Sequence, residues 1–165
     1  MNDLKKSIQY VLMLVVMFFI ISISKIATVY TDYLWFSSLG FSKIFTVSLG
    51  AKLMVFSAVA LFFFVFLIIN LRIASKIQKS KWSFKMTTLI ILIISLFQGL
   101  IASTSWMKVL QYLNQVPFNL RDPIFAKDIS FYVFSLPFFL TVWNYLFVCI
   151  LITTIFVGFY YFLTF

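Results

Sequence analysis

The stretch LGAKLMVFSAVALFFFVFLIINL, residues 49–71, carries a single charge, Lys52, in an otherwise apolar run. About 20 apolar residues in succession are what an α-helix needs to cross the ~30 Å hydrocarbon layer of a bilayer, so this run reads as a transmembrane helix. Lys52 falls in its first turn, where a long side chain can carry the ammonium back to the headgroups. There it avoids the ~3 kcal/mol that a lysine costs at a helix centre. Lys25, near the end of the preceding apolar run, reads the same way.

Three further runs share this character. Residues 8–29 follow Lys5 and Lys6, and the uncharged part from Ser7 to Ser24 is longer than the about 7–15 residues of a signal-peptide core. Lys25 would also spoil a small-residue cleavage site before Thr28, so the run reads as a retained anchor. Residues 86–105 form the third span. In the uncharged stretch from Ile129 to Phe165, Trp143 and Tyr160 lie 17 residues apart. On a helix that is ~26 Å, close to hydrocarbon thickness, which places the fourth span at residues 142–162. Pro137 is expected to separate it from an outer half-helix.

Composition agrees with an all-α, multi-pass bundle of about four helices. The 165 residues are 64% apolar and 21% aromatic, and only 10% are charged, against the roughly 25% usual in soluble domains. That length leaves room for a single transmembrane domain over residues 1–165 and not for a separate soluble one. There is no His or Glu, and the acids are Asp3, Asp32, Asp122 and Asp128. No catalytic constellation, metal cluster or cofactor motif can be assembled from these residues, so none is expected. Cys149, the single cysteine, lies in an apolar run and reads as a packing residue.

The formal charge of +9 would suit a nucleic-acid binder only if it were spread over a soluble face. Instead it clusters between apolar runs, which fits orientation in a membrane and attraction to lipid. Arg72, Lys76, Lys79, Lys81 and Lys85 follow the second span with no acid among them. The spacing of the first three predicts a basic helix lying on the membrane surface, with anionic headgroups as partners. With Lys5 and Lys6 that side carries seven cations; Lys43, Lys108, Arg121 and Lys127 give the other side four. The more positive side is cytoplasmic by the positive-inside rule, so both termini are expected inside and residues 106–136 outside.

Several connecting residues carry their own signals. Aromatic residues mixed with Asp32, Gly40 and Lys43 mark residues 30–45 as an interfacial turn. Ser95, Gly99 and Ser103 recur every four residues, a spacing that lets another helix backbone approach; Gln98 beside them needs a polar partner inside a bundle. Other membrane helices are therefore expected partners. Thr154 and Gly158 repeat the spacing in the fourth span. Trp106, Val109, Leu110 and Leu113 fall on one helical face opposite Lys108, Gln111 and Asn114, predicting an interfacial helix that Pro117 ends. Arg121, Asp122, Pro123 and Asp128 form the close charge cluster of the outer loop. Asp122 before Pro123 looks like a helix cap and first position, and Asp128 can cap the next helix.

The stretch DPIFAKDISFYVFSLP, residues 122–137, resembles a family of large bacterial multi-pass membrane proteins known only as uncharacterised protein family 0182. DYLWFSSLGFSKIF, residues 32–45, is similar to the same family's outer turn after its first helix. The resemblance implies a cell-membrane protein with further helices and a large extracytoplasmic domain, of which this chain would correspond to the N-terminal part. It implies no reaction. The expected role is thus a noncatalytic membrane anchor or scaffold within a larger envelope protein. The alternatives are part of a transporter or channel, using Gln98, Lys52, Asp32 and the Pro137 break, or a membrane enzyme acting on lipid or wall precursors through Arg121, Asp122 and Asp128.

Overall fold

The computed structural model describes residues 2–77 and 84–164. It is all-α, with five helices: α1 Asn2–Ser38, α2 Ser42–Ile77, α3 Phe84–Ser103, α4 Trp106–Leu113 and α5 Leu136–Thr164. One π-helical turn, Phe131–Ser135, leads into α5. The chain forms two compact units, Met1–Val47 and Ser48–Phe165.

In the first unit, α1 does not stop at Val29. Nothing in TVYTDYLWF breaks a helix, so α1 runs on to Ser38, and the expected interfacial turn of residues 30–45 shrinks to the few residues around Gly40. Gly40 takes φ +77°. Its N–H donates to the Ser37 carbonyl at 3.0 Å and that of Phe41 to the Phe36 carbonyl at 2.8 Å, a paired closure that satisfies two carbonyls left open at the helix end. Phe45, just inside α2, packs its ring against Tyr33 and Phe36 at 5.7 and 5.8 Å between centroids and so holds the corner.

The second unit contains three helical segments long and apolar enough to cross a membrane: α2, α3 from Lys85, and Phe131–Phe162. Leu67, Leu71 and Ala74 of α2, Ile91 of α3 and Tyr160 of α5 form the buried core. Outward positions are as apolar as inward ones; Leu61, Phe97, Trp143 and Ile155 are all more than half exposed. Large bare apolar faces of this kind are not stable in water.

Four local expectations change. Arg72 and Lys76 do not start a surface helix: α2 continues unbroken to Ile77, and both are exposed on its last turns. There the cations complement the negative end of the helix dipole. Lys79, the third cation of that expected helix, lies outside the described residues, as does Lys81. Pro137 does not divide the last helix. It is the second residue of α5, and the wider π turn before it, closed by the Leu136 N–H on the Phe131 carbonyl, takes up the missing proline donor. Thr154 and Gly158 face outward, whereas Cys149, Thr153 and Tyr160 face inward; Thr154 stands about 100° round the helix from the buried Thr153. Lastly, α4 forms as expected from Trp106 but ends at Leu113, before Pro117, where the Asn114 backbone N–H and side-chain amide both donate to the Leu110 carbonyl.

Candidate functional site

The outer-loop candidates come together in a hairpin between α4 and α5. Its base is a single antiparallel bridge between Arg121 and Asp128. The Asp122 N–H donates to the Lys127 carbonyl at 2.8 Å and the Ile129 N–H to the Leu120 carbonyl at 2.9 Å. Between them, residues 122–126 make one helical turn that goes no further. Asp122 Oδ2 accepts the Phe125 N–H at 2.9 Å, as a capping carboxylate does, with Pro123 in the position after it. The Ala126 N–H closes on the Asp122 carbonyl at 2.9 Å, and Ala126 itself sits at φ +53°. A left-handed residue ends a helix, so Asp122 caps a turn rather than the helix expected after it. The bridge between Arg121 and Asp128 leaves no room for a second turn.

Asp128 does begin the next helix, accepting the Ser130 N–H at 2.8 Å. It also reaches across the hairpin. Its Oδ1 accepts the Phe118 N–H at 3.1 Å and its Oδ2 the Asn119 N–H at 2.8 Å, where Asn119 takes φ +59°. One carboxylate thus fixes both strands. Asp122 has a comparable long-range link, its Oδ2 accepting the Tyr132 hydroxyl at 2.9 Å. These donors hold both carboxyls below the ordinary carboxylate value, Asp122 mainly through the Phe125 N–H and Asp128 mainly through the Ser130 hydroxyl. Gln115 Oε1 accepts the Ser135 hydroxyl at 2.8 Å, and the Phe118 ring meets Phe134, tying the hairpin to the π turn. Arg121 and Pro123 are exposed at its edge. Tyr132 and Gln115 are site residues that sequence reasoning missed, since partners ten and twenty positions apart leave no periodic trace.

The packing candidates fall on α3. Its buried line is Thr87, Ile91, Ser95, Gly99 and Ala102. A spacing of strictly four drifts off a helix of 3.6 residues per turn, so Ala102 takes the place expected of Ser103, which is half-buried. The Ser95 hydroxyl donates to the Ile91 carbonyl at 2.8 Å within its own helix. At Gly99 the approach of α2 is close: a β-carbon there would stand 2.8 Å from the Phe56 carbonyl oxygen and 2.8 Å from Ala60 Cβ. Gln98 is half-buried beside this contact.

On the other side of the unit, α4 lies against α5. Tyr112 stacks on Phe138 with centroids 4.1 Å apart, and Lys108 Nζ donates to the Thr141 hydroxyl at 3.3 Å. Lys108 therefore turns toward α5 instead of lying opposite the packed face. Lys52 Nζ stands 5.4 Å from the centre of the Trp106 ring.

The profile of the Uncharacterised protein family (UPF0182) matches residues 9–165. Similar curated proteins include a UPF0182 protein of Desulfitobacterium hafniense, 34% identical over 70% of this chain and 15% of its own length. UPF0182 proteins of Geobacter sulfurreducens and Methanospirillum hungatei are each 32% identical, over 82% and 76% of this chain and 18% and 14% of their own. The chain thus spans less than a fifth of the length of these relatives. No solved structure matches it. With the family profile covering nearly every residue, the chain belongs to the uncharacterised family UPF0182.

Proposed function

We propose that this chain is the membrane-embedded anchor and scaffold bundle, the N-terminal part, of a larger cell-envelope protein. In this reading α1, α2, α3 and α5 cross the bacterial cell membrane, both termini are cytoplasmic, and the α4–α5 hairpin is outside. The observation that carries it is the use of the polar groups. Asp122 and Asp128, the best candidates for chemistry, point at N–H and O–H donors of their own hairpin and π turn. Carboxylates committed in this way hold a loop in shape. The apolar outer faces of the second unit, the exposed cations at the end of α2 and the much greater length of the relatives support the same reading.

A scaffold is replaceable by another bundle of the same topology, whereas a transport path or an enzyme site is not. The test exchanges residues 1–165 in the longer protein for an unrelated four-helix anchor. Membrane placement and whatever phenotype the intact protein supports are expected to survive. Loss of that phenotype at unchanged abundance would contradict the anchor reading.

A further inference from the structure

We propose that the cleft between α2, α4 and α5 binds one anionic phospholipid, an acyl chain lying in the cleft and the phosphate against the Lys108 ammonium; this rests on the membrane-embedded reading above. The cleft has a volume of about 200 Å³ and is walled by Val55 and Val59 of α2, Val109 of α4, and Phe138 and Val142 of α5. Pockets that enclose a whole small molecule run to ~300–1,000 Å³, so this one suits a slender apolar segment whose head stays outside. Lys108 of α4 and Thr141 of α5 also line it, and their polar ends bond to each other.

Charge selects the head. Lys108 gives one of its three N–H donors to the Thr141 hydroxyl, which in turn donates to the Pro137 carbonyl. Lys52, one turn before Val55, holds its ammonium over the Trp106 ring. Neither has a carboxylate partner among the described residues, and Asp122 and Asp128 are engaged in the hairpin. A cation lining an apolar cleft, with a second one turn before the cleft's Val55, complements a phosphate with an acyl chain attached.

The test is native mass spectrometry of the full chain, extracted in mild detergent and equilibrated with equal amounts of phosphatidylglycerol and phosphatidylcholine. One phosphatidylglycerol is expected to stay bound in preference to phosphatidylcholine. Lys108→Gln keeps the stem and removes the charge, and should lower retention of phosphatidylglycerol about fivefold while leaving phosphatidylcholine unchanged. Ala58→Phe, whose ring would fill the cleft, should abolish the preference at an unchanged thermal midpoint. Equal retention of the two lipids by the unsubstituted chain, or an undiminished preference in Lys108→Gln, would overturn the site. Failure of the membrane reading would look different: the chain would leave membranes in alkaline carbonate without detergent.

Discussion

At Asp122 a single oxygen, Oδ2, accepts both the Phe125 N–H and the Tyr132 hydroxyl, whereas Asp128 uses Oδ1 for Phe118 and Ser130 and Oδ2 for Asn119. An asparagine offers one acceptor oxygen and one NH₂ donor. Asp122→Asn can keep both of these bonds through its oxygen and is expected to be mild. Asp128→Asn sets an NH₂ against a backbone N–H and should loosen the hairpin, seen as faster hydrogen exchange at Phe118 and Asn119. Equal exchange in the two variants would contradict this assignment. The sign of the acid response follows from the same bonds. Both carboxyls titrate below the ordinary 3.8, so the unfolded chain takes up the protons first. Their contribution is complete above about pH 5 and is lost as the pH falls through 3.8 toward the lowered values. The thermal midpoint should therefore fall in that acid range, and fall less in Asp128→Asn. From sequence, the capping chemistry of these residues is legible because it is local. The cross-hairpin bonds are not, since they depend on how Ala126 and Asn119 turn the chain.

Between elements, α3 approaches α2 closely at Gly99. A β-carbon there would meet the Phe56 carbonyl oxygen, which belongs to the α2 backbone and cannot swing aside. Gly99→Ala is expected to cost about 1–3 kcal/mol, the range for overfilling a packed contact. Gly158→Ala is the control. Nothing lies within 4 Å of a β-carbon at that position, and alanine should stabilise α5 by up to ~1 kcal/mol through helix propensity. Thermal midpoints in detergent separate the two, and similar shifts would contradict the packing described for α3. Long apolar runs made α2, α3 and α5 legible, and the periodic Trp106 face did the same for α4. The reach of α1 was not, because aromatic and polar residues between Tyr30 and Phe36 resemble an interfacial turn while offering nothing that stops a helix. Pro137 misled in the opposite direction, since a proline at the start of a helix is tolerated.

For the whole molecule, two helices exceed the bilayer, α1 with 37 residues and α2 with 36. At ~1.5 Å per residue the 36 residues of α2 extend ~54 Å, beyond the ~40–45 Å of a full bilayer, so in the proposed arrangement α2 stands out of the membrane or tilts strongly. Its apolar part ends at Leu71, and Arg72 and Lys76 follow on exposed turns, which is the charge placement expected on the cytoplasmic side. In the proposed arrangement the polypeptide then returns through α3, which puts Lys76 and the hairpin tip on opposite sides. Ile124, 80% exposed at that tip, is an accessible reporter. The most direct measurement is therefore thiol labelling of Lys76→Cys and Ile124→Cys, each on a Cys149→Ser background, with an impermeant reagent added to intact cells and to permeabilised ones. Labelling is expected at position 124 in intact cells and at position 76 only after permeabilisation. Labelling of both positions from one side, or of position 124 from the cytoplasm alone, would contradict the proposed arrangement.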